Sequence, residues 1–448
     1  MPSHPRSFFL MLALTVTSFA AAQSDPAAVL QRGPLKADGT PAAFRAHAGV
    51  LVQDAGTGET LLALNDQDAF TPASTTKAVT TAAALYTLGG AFTFKTHVLA
   101  SPVIGGRVER LTLRGSGDPT LRGQGPGNSL EELAQAVAAS GIKTVDTLQI
   151  DDFAFGQARW GNGWMWDDTE SPVGALRLDG DDATYLRLVV GGDEAKEGIQ
   201  PNPALLTDPA SLALSVGQRF AALLKGSGVT VSGIVTRARA TTGDRQVARV
   251  QSAPLADLVR QTNKPSNNIY AEQLRAALGL GQGGESSDET RVSAVLATFL
   301  KTAGVEDDGY RLRDGSGLSR YNLITPRQLN AVMRYAYLNP LGTTLPPPEA
   351  FRTKQNVFIE SLPVAGTGDA TPDAKANGGT LRNRLKETGL DVRAKTGSMT
   401  GVSSLSGFLT AKSGRLLVFT IMMDNYPAGV SDLNRWQDEL LKSLAVRY

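Results

Sequence analysis

Three short strings stand in a fixed order along this chain of 448 residues: Ser74-Thr75-Thr76-Lys77, Ser266-Asn267-Asn268 and Lys395-Thr396-Gly397. Each alone is cheap, because S-x-x-K and K-T-G arise by chance in many chains of this length. Together they supply a serine nucleophile with lysine as its base. Thr71-Pro72 opens a helical stretch, with Thr71 as cap and Pro72 in the first turn. The stretch runs through Ala78, Ala82, Ala83, Ala84 and Leu85 and stops at Gly89-Gly90. Ser74 then lies in the first turn, where unpaired N–H groups and the helix dipole favour developing negative charge. Lys77 lies on the same face one turn on, so the helix itself carries the amine to the hydroxyl. The fold must bring the other two strings to the start of this one helix.

The composition leaves few rivals to that pair. A Ser-His-Asp triad needs a positioned imidazole, and the chain has three histidines, His4, His47 and His97. His4 falls in the expected leader. His47, at a strand entry, and His97, in an alternating stretch, read as structural or surface residues. Cysteine is absent, which removes thiol nucleophiles, thiolate ligands and disulfides. No H-x-x-x-H or H-E-x-x-H pattern occurs, so no transition-metal site is expected, and no cofactor is implied.

Residues 1–22 have the form of a secretory leader: Arg6, an apolar core over 8–19, then Ala20-Ala21-Ala22 before Gln23. Export to the periplasm or the extracellular envelope space is expected. The apolar core is shorter than the about 20 residues a membrane span needs, and no later run approaches that length, so no transmembrane anchor is expected. Lys and Arg number 44 against 43 Asp and Glu. Losing Arg6 leaves the mature chain neutral, which argues against nucleic acid or a polybasic membrane surface as partner. With 42% hydrophobic residues the chain can bury a large core and more than one domain, held by packing alone.

Residues 23–46 look like a lead-in. Val50-Leu51-Val52 and Leu61-Leu62-Ala63-Leu64 then flank Ala55-Gly56-Thr57-Gly58 as a hairpin. From 98 to 247 short strand-like runs recur, such as Val108-Glu109-Arg110-Leu111-Thr112-Leu113 and Thr147-Leu148-Gln149-Ile150, with one helical stretch near 215–224. This reads as a β-rich insert. Helical periodicity returns over 254–260 and 268–278, and a long helix fits 288–301. Residues 391–397 approach Gly397 as a strand, and 405–411 and 415–422 make two more. The chain closes on an amphipathic helix after an Asp432 cap, with Leu433, Trp436, Leu440, Leu441 and Leu444 as its stripe. Its mixed charges, Arg435, Asp438, Glu439 and Lys442, favour packing on the sheet over a membrane. The expected fold class is α/β (α+β), a sheet with helices from both chain ends, interrupted by the insert. The expected parts are the leader 1–22, a first part 23–97, the insert 98–247 as two small domains, and a second part 248–448.

The three strings resemble the catalytic set of penicillin-binding proteins and serine β-lactamases. Further strings narrow the resemblance: Gly115-Ser116-Gly117-Asp118-Pro119-Thr120-Leu121, Gly163-Trp164-Met165-Trp166-Asp167-Asp168 and Asp314-Gly315-Ser316-Gly317-Leu318-Ser319-Arg320. Ser361-Leu362-Pro363-Val364-Ala365-Gly366 and Gly379-Thr380-Leu381-Arg382-Asn383-Arg384 add two more. All are similar to the class C low-molecular-mass penicillin-binding proteins, the D-alanyl-D-alanine carboxypeptidase/endopeptidases. That branch is long between its first two strings, as here, because domains are inserted there. Ser398 stands where threonine is more usual, and a tyrosine that some members carry after the tryptophan-aspartate string is not obvious.

The resemblance implies a transpeptidase-like domain with a central antiparallel sheet. It implies Ser74, Lys77, Ser266, Asn268 and Lys395 as the catalytic set, with Ser74 attacking the D-Ala-D-Ala carbonyl. Lys77 must be neutral to take the proton, and burial beside Lys395 would lower its pKa. Ser266 would relay a proton to the leaving amine, and Asn268 would orient Lys77 and bind substrate amide. The backbone N–H groups of Ser74 and Ser398 would form the oxyanion hole. Lys395, Thr396 and Ser398 fit the substrate carboxylate, and the strand through Gly397 would pair with the peptide. Asp167 would face the cleft mouth and meet the free amine of the stem's diamino residue. The implied partners are peptidoglycan stem peptides ending in D-Ala-D-Ala, with β-lactams as inhibitors. Three rivals stand beside this reading. A β-lactamase would carry its deacylating glutamate as E-x-x-L-N, but Pro326 occupies that place before Leu329-Asn330. A Ser-Lys esterase usually lacks K-T-G. A catalytically silent peptidoglycan-binding protein would not need Ser74, Lys77 and Lys395 intact.

Overall fold

The structure, a computed structural model, describes residues 25–42, 45–165, 170–180, 208–209, 211–281, 286–306 and 309–448, and the strand backbones over 185–190 and 196–201. The expected leader and Asp167, with its neighbours Trp166 and Asp168, lie outside these residues.

The central sheet takes β1 (His47–Asp54) and β2 (Thr60–Leu64) from early in the chain and β11 (Val392–Met399), β12 (Val402–Thr410) and β13 (Leu416–Asp424) from its end. The order is β11-β12-β13-β1-β2, antiparallel throughout, with His47 opposite Asp424. β12 and β13 are almost wholly apolar or small because both faces of the sheet are covered. Alternate side chains of a strand point to opposite faces. Leu417, Phe419, Ile421 and Met423 therefore meet Leu433, Trp436, Leu440 and Leu444 of the closing helix, while Val418 and Met422 join a second core on the other side. A short helix, α1 (Pro26–Arg32), packs on the closing helix, and the Trp436 indole donates to the Val29 carbonyl at 2.9 Å.

The second core surrounds α2 (Thr76–Leu88), whose residues 76–85 are all buried. A helix buried on every side needs small residues where neighbours cross it, and Ala78, Ala82, Ala83 and Ala84 fill that role. Helices of the later chain close round it: α5 (Leu255–Asn263), α6 (Asn268–Ala277), α7 (Glu289–Thr302) and α8 (Pro326–Leu338). The α8 start carries a capping box between Thr325 and Gln328. The closing helix is α9 (Val430–Arg447), and its N-cap is Gly429, not Asp432. Asp432 sits in the first turn, where its carboxylate accepts from the Tyr426 hydroxyl at 2.9 Å.

A second sheet lies between these halves of the chain. It contains β3 (Lys95–Ala100), β4 (Arg107–Arg114), β5 (Thr144–Asp151), β8 (Thr230–Val231), β9 (Val235–Arg237) and β10 (Arg245–Gln251), ordered β10-β3-β4-β5-β8 with β9 also on β5. The entering strand β3 pairs with the leaving strand β10, so the excursion starts and ends side by side. β6 (Tyr185–Val190) and β7 (Lys196–Pro201) form a separate hairpin. The sequence reading gave this region one helix, matched by α4 (Ser211–Gly226). A second, α3 (Leu130–Ala139), has no counterpart among the elements expected from the sequence. It is required because β4 and β5 are parallel, and a parallel pair needs a crossover.

Candidate active site

Ser74 does not sit in an α-turn capped by Thr71. It lies in a 3₁₀ turn, Ala73–Thr75, that runs into α2, and the Thr71 N–H instead donates to Asp424 Oδ2 at 3.4 Å. Ala73 adopts φ 48°, a left-handed conformation that costs a residue bearing a Cβ. Two glycines from distant strings leave room for this turn. A Cβ on Gly317 would lie 1.9 Å from the Ala73 carbonyl oxygen, and one on Gly397 would lie 2.5 Å from the Pro72 oxygen and 3.0 Å from the Thr75 nitrogen. Both backbones press directly on the segment that carries Ser74.

Lys77 is fully buried, and its Nζ donates to Ser74 Oγ at 2.9 Å, to Asn268 Oδ1 at 2.5 Å and to the Ser316 carbonyl at 2.6 Å. Burial pulls its pKa down to about 8, against the pull of three carboxylates, Asp314, Glu272 and Glu170. Glu272 accepts from the Gly315 and Ser316 N–H groups at 2.9 and 2.7 Å. Burial, with Asp314 beside it, pushes the Glu272 carboxyl up to about 7. Asp314 in turn accepts from the Gly317 and Ser319 N–H groups and from the Trp164 indole at 3.0 Å. These bonds hold the 314–319 loop so that one carbonyl points at the Lys77 amine.

Ser266 and Lys395 face the serine from the other side. Lys395 Nζ donates to Ser266 Oγ at 3.0 Å and to the Thr396 carbonyl at 3.0 Å. Burial first, and repulsion from Lys77 second, hold Lys395 well below the usual lysine range. Ser266 itself is left-handed, at φ 66°, just before Asn267 caps α6 by accepting from the Tyr270 N–H at 3.0 Å. The loop is anchored by Lys264, whose amine donates to the Leu362 carbonyl and to the Asn377 carbonyl and side-chain oxygens. Burial, with Arg260 nearby, brings Lys264 down to about 7. Thr396 Oγ1 bonds Thr380 Oγ1 at 2.7 Å. A cleft of about 270 Å³ opens over Ser74, lined by Ser266, Thr380, Arg384, Thr396, Ser398, Ser404 and Asn434.

Two serines and two buried lysines from three distant strings thus converge on one cleft. Residues 36–196 and 177–445 match the D-Ala-D-Ala carboxypeptidase 3 (S13) family. The chain belongs to this family of serine peptidases. Carboxypeptidase DacB of Mycolicibacterium smegmatis is 32% identical, over 84% of this chain and 75% of its own. A D-alanyl-D-alanine carboxypeptidase of an Actinomadura species is 32% identical, over 88% of this chain and 81% of its own. Penicillin binding protein 4 (dacB) of Haemophilus influenzae, in a crystal structure complexed with a β-lactam, shares the fold with a TM-score of 0.68 at 23% identity, covering 94% of this chain and 99% of that one.

Within this carboxypeptidase the residues expected from the sequence fall as follows. Ser74, Lys77, Ser266, Asn268, Lys395, Thr396 and Ser398 gather at the cleft, and Gly397 is the point of contact between β11 and the Ser74 turn. Asp167 lies outside the described residues. The Gly115–Leu121 string is a structural turn: Asp118 accepts from the Thr120 N–H at 2.8 Å, and the Gly117 carbonyl accepts from Gln273 of α6 at 3.0 Å. Asn330, the echo of a β-lactamase motif, is buried on the sheet between Gln53 and Thr420. His47 stacks on Phe70 at 4.2 Å and bonds Asp424 at 3.0 Å, while His97 bonds Gln246 at 2.7 Å. Four features were missed by sequence reasoning. Glu272 follows Asn268 by four residues on one helix, a spacing that signals a shared face. Arg384, held by Asp438 at 2.6 Å, belongs to a string that had been noted without a role. The Ser316 carbonyl and Glu170 left no signal, because a backbone oxygen has no letter and Glu170 belongs to no motif.

Proposed function

We propose that this enzyme removes the terminal D-Ala of peptidoglycan stem peptides through an acyl-enzyme on Ser74. The observation that carries the reading is the Ser74 hydroxyl held 2.9 Å from a fully buried lysine amine. At rest the three carboxylates favour a proton on Lys77, while Lys395 has no carboxylate among its perturbing neighbours. The substrate's C-terminal carboxylate, bound at Lys395, Thr396 and Ser398, reverses that preference. A charged Lys395 then repels a proton from Lys77. The freed Lys77 amine takes the Ser74 proton as Oγ bonds the carbonyl carbon. The N–H groups of Ser74 and Ser398 receive the oxyanion. Ser266 passes a proton to the D-Ala nitrogen as the C–N bond breaks, and water hydrolyses the ester that remains.

A β-lactam offers the same carbonyl and carboxylate, so penicillin would acylate Ser74. A D-Ala-to-side-chain cross-link presents the same bond, so endopeptidase cleavage at this site belongs to the proposal. So do export by the 1–22 leader, the insert at 98–247 and the amine-binding role of Asp167. Intact-mass spectrometry with penicillin tests the core of it: one adduct per chain in wild type and none in Ser74→Ala. An adduct persisting in that variant would remove Ser74 from the mechanism.

A further inference from the structure

Asn268 is held from both ends of its amide. Its Oδ1 accepts from Lys77 Nζ at 2.5 Å, and its Nδ2 donates to Glu170 Oε1 at 2.7 Å. An ammonium can only donate and a carboxylate can only accept. The chain Lys77–Asn268–Glu170 therefore closes in one amide orientation alone. Flipped, Asn268 would turn its NH₂ towards the lysine and its oxygen towards the carboxylate, both repulsive. We propose that Glu170, reaching in from the loop after the tryptophan-aspartate string, is the positioning residue that locks Asn268 in its catalytic orientation and sets a negative charge near the resting Lys77 amine.

The proposal rests on Lys77 as the base. Lys77 is faced by Asn268 and Glu272 of α6, by Asp314 and the Ser316 carbonyl of the 314–319 loop, by Lys395 of β11 and by Glu170. Of the three carboxylates, Glu272 and Asp314 are buried and bonded to backbone N–H groups of the loop. Glu170 is half-exposed and accepts from the Asn268 side-chain amide. Its bond takes one of the two N–H donors of the Asn268 amide, and the other is the one the substrate would use.

The experiment is penicillin acylation followed across pH 6–10 in wild type, Glu170→Gln, Glu170→Ala and Lys77→Ala. Removing one charge a few ångströms beyond Asn268 should move the acid limb down by about one pH unit in both Glu170 variants. Glu170→Ala should also lower the plateau about tenfold, and Glu170→Gln, which keeps an acceptor for Nδ2, should recover most of that loss. A merely structural role would move the plateau or the melting temperature and leave the limb in place. Limbs that coincide with wild type overturn the proposal, as does normal acylation with slowed release of the acyl group, which would put Glu170 on the hydrolytic water. If Lys77→Ala acylates normally, the base assignment itself fails, and that outcome is read independently of the Glu170 variants.

Discussion

Gly317→Ala isolates the pressure of one backbone on the proposed nucleophile, Ser74. Gly317 has φ 87°, and a Cβ there would stand 1.9 Å from the Ala73 oxygen, 2.4 Å from its carbonyl carbon and 3.0 Å from the Ser74 nitrogen. The left-handed backbone costs alanine about 1 kcal/mol. Forcing a methyl against fixed backbone costs about 1–3 kcal/mol more. Gly304 supplies the control, since its φ of 85° carries the same conformational cost while a Cβ there meets nothing within 4 Å. Gly304→Ala should lose about 1 kcal/mol of stability in urea unfolding and keep its acylation rate. Gly317→Ala should lose about 2–4 kcal/mol. The relief available is to push the 73–74 backbone away, and a displacement near 1 Å at a reacting group costs about 100-fold in rate. The assay is the time course of penicillin adduct formation by intact mass, run beside the unfolding curves. Acylation by Gly317→Ala within a few-fold of Gly304→Ala would refute the claim that this contact sets the serine.

The burial of Lys264 and the proposed amine-binding role of Asp167 each have a measurable consequence. Lys264 has a folded pKa of about 7 against 10.5 for the free side chain, so the folded state holds fewer protons across that window. Stability therefore rises as pH climbs from 7 towards 10. Lys264→Met should flatten part of that rise in urea unfolding at pH 7 and 9 while lowering kcat through Ser266, and an unchanged slope would contradict it. Asp167→Asn should cost several-fold in kcat/KM for a stem peptide with its diamino amine free, and nothing for the acetylated peptide or penicillin. Absence of any wild-type preference for the free amine removes that role.

The residues of the proposed catalytic set were readable as a group because each is tied to a local pattern. Ser74 and Lys77 share a helical repeat, Ser266 and Asn268 frame a helix start, and Lys395 lies within an extended run. The central strands were readable too, because β12 and β13 are almost wholly apolar or small. Local rules failed where a distant segment overrode them. Thr71-Pro72 is a fair helix start, yet contact with Gly317 and Gly397 turns 73–75 into a 3₁₀ turn with Ala73 left-handed. Asp432 is a fair cap, yet the Tyr426 hydroxyl holds it inside the helix. Helix α3 carries a legible apolar stripe, Leu130, Leu133, Ala134 and Val137, but the strands around it drew the reading towards β.

The sequence by itself determined which atoms are proposed for the chemistry, one hydroxyl and two amines, in a chain with no thiol and only three histidines. Spacing of three or four residues is enough for that, because helix and strand periodicity are properties of the backbone. What only the tertiary structure decided is the state of those atoms. Lys77 is drawn down to about 8 by burial under four other segments and steadied by three carboxylates that lie nearly 100 to 240 residues away along the chain. A pKa is set by the dielectric and the charges within a few ångströms of a group. Those distances exist only once the chain has closed its last sheet strand over its first catalytic helix.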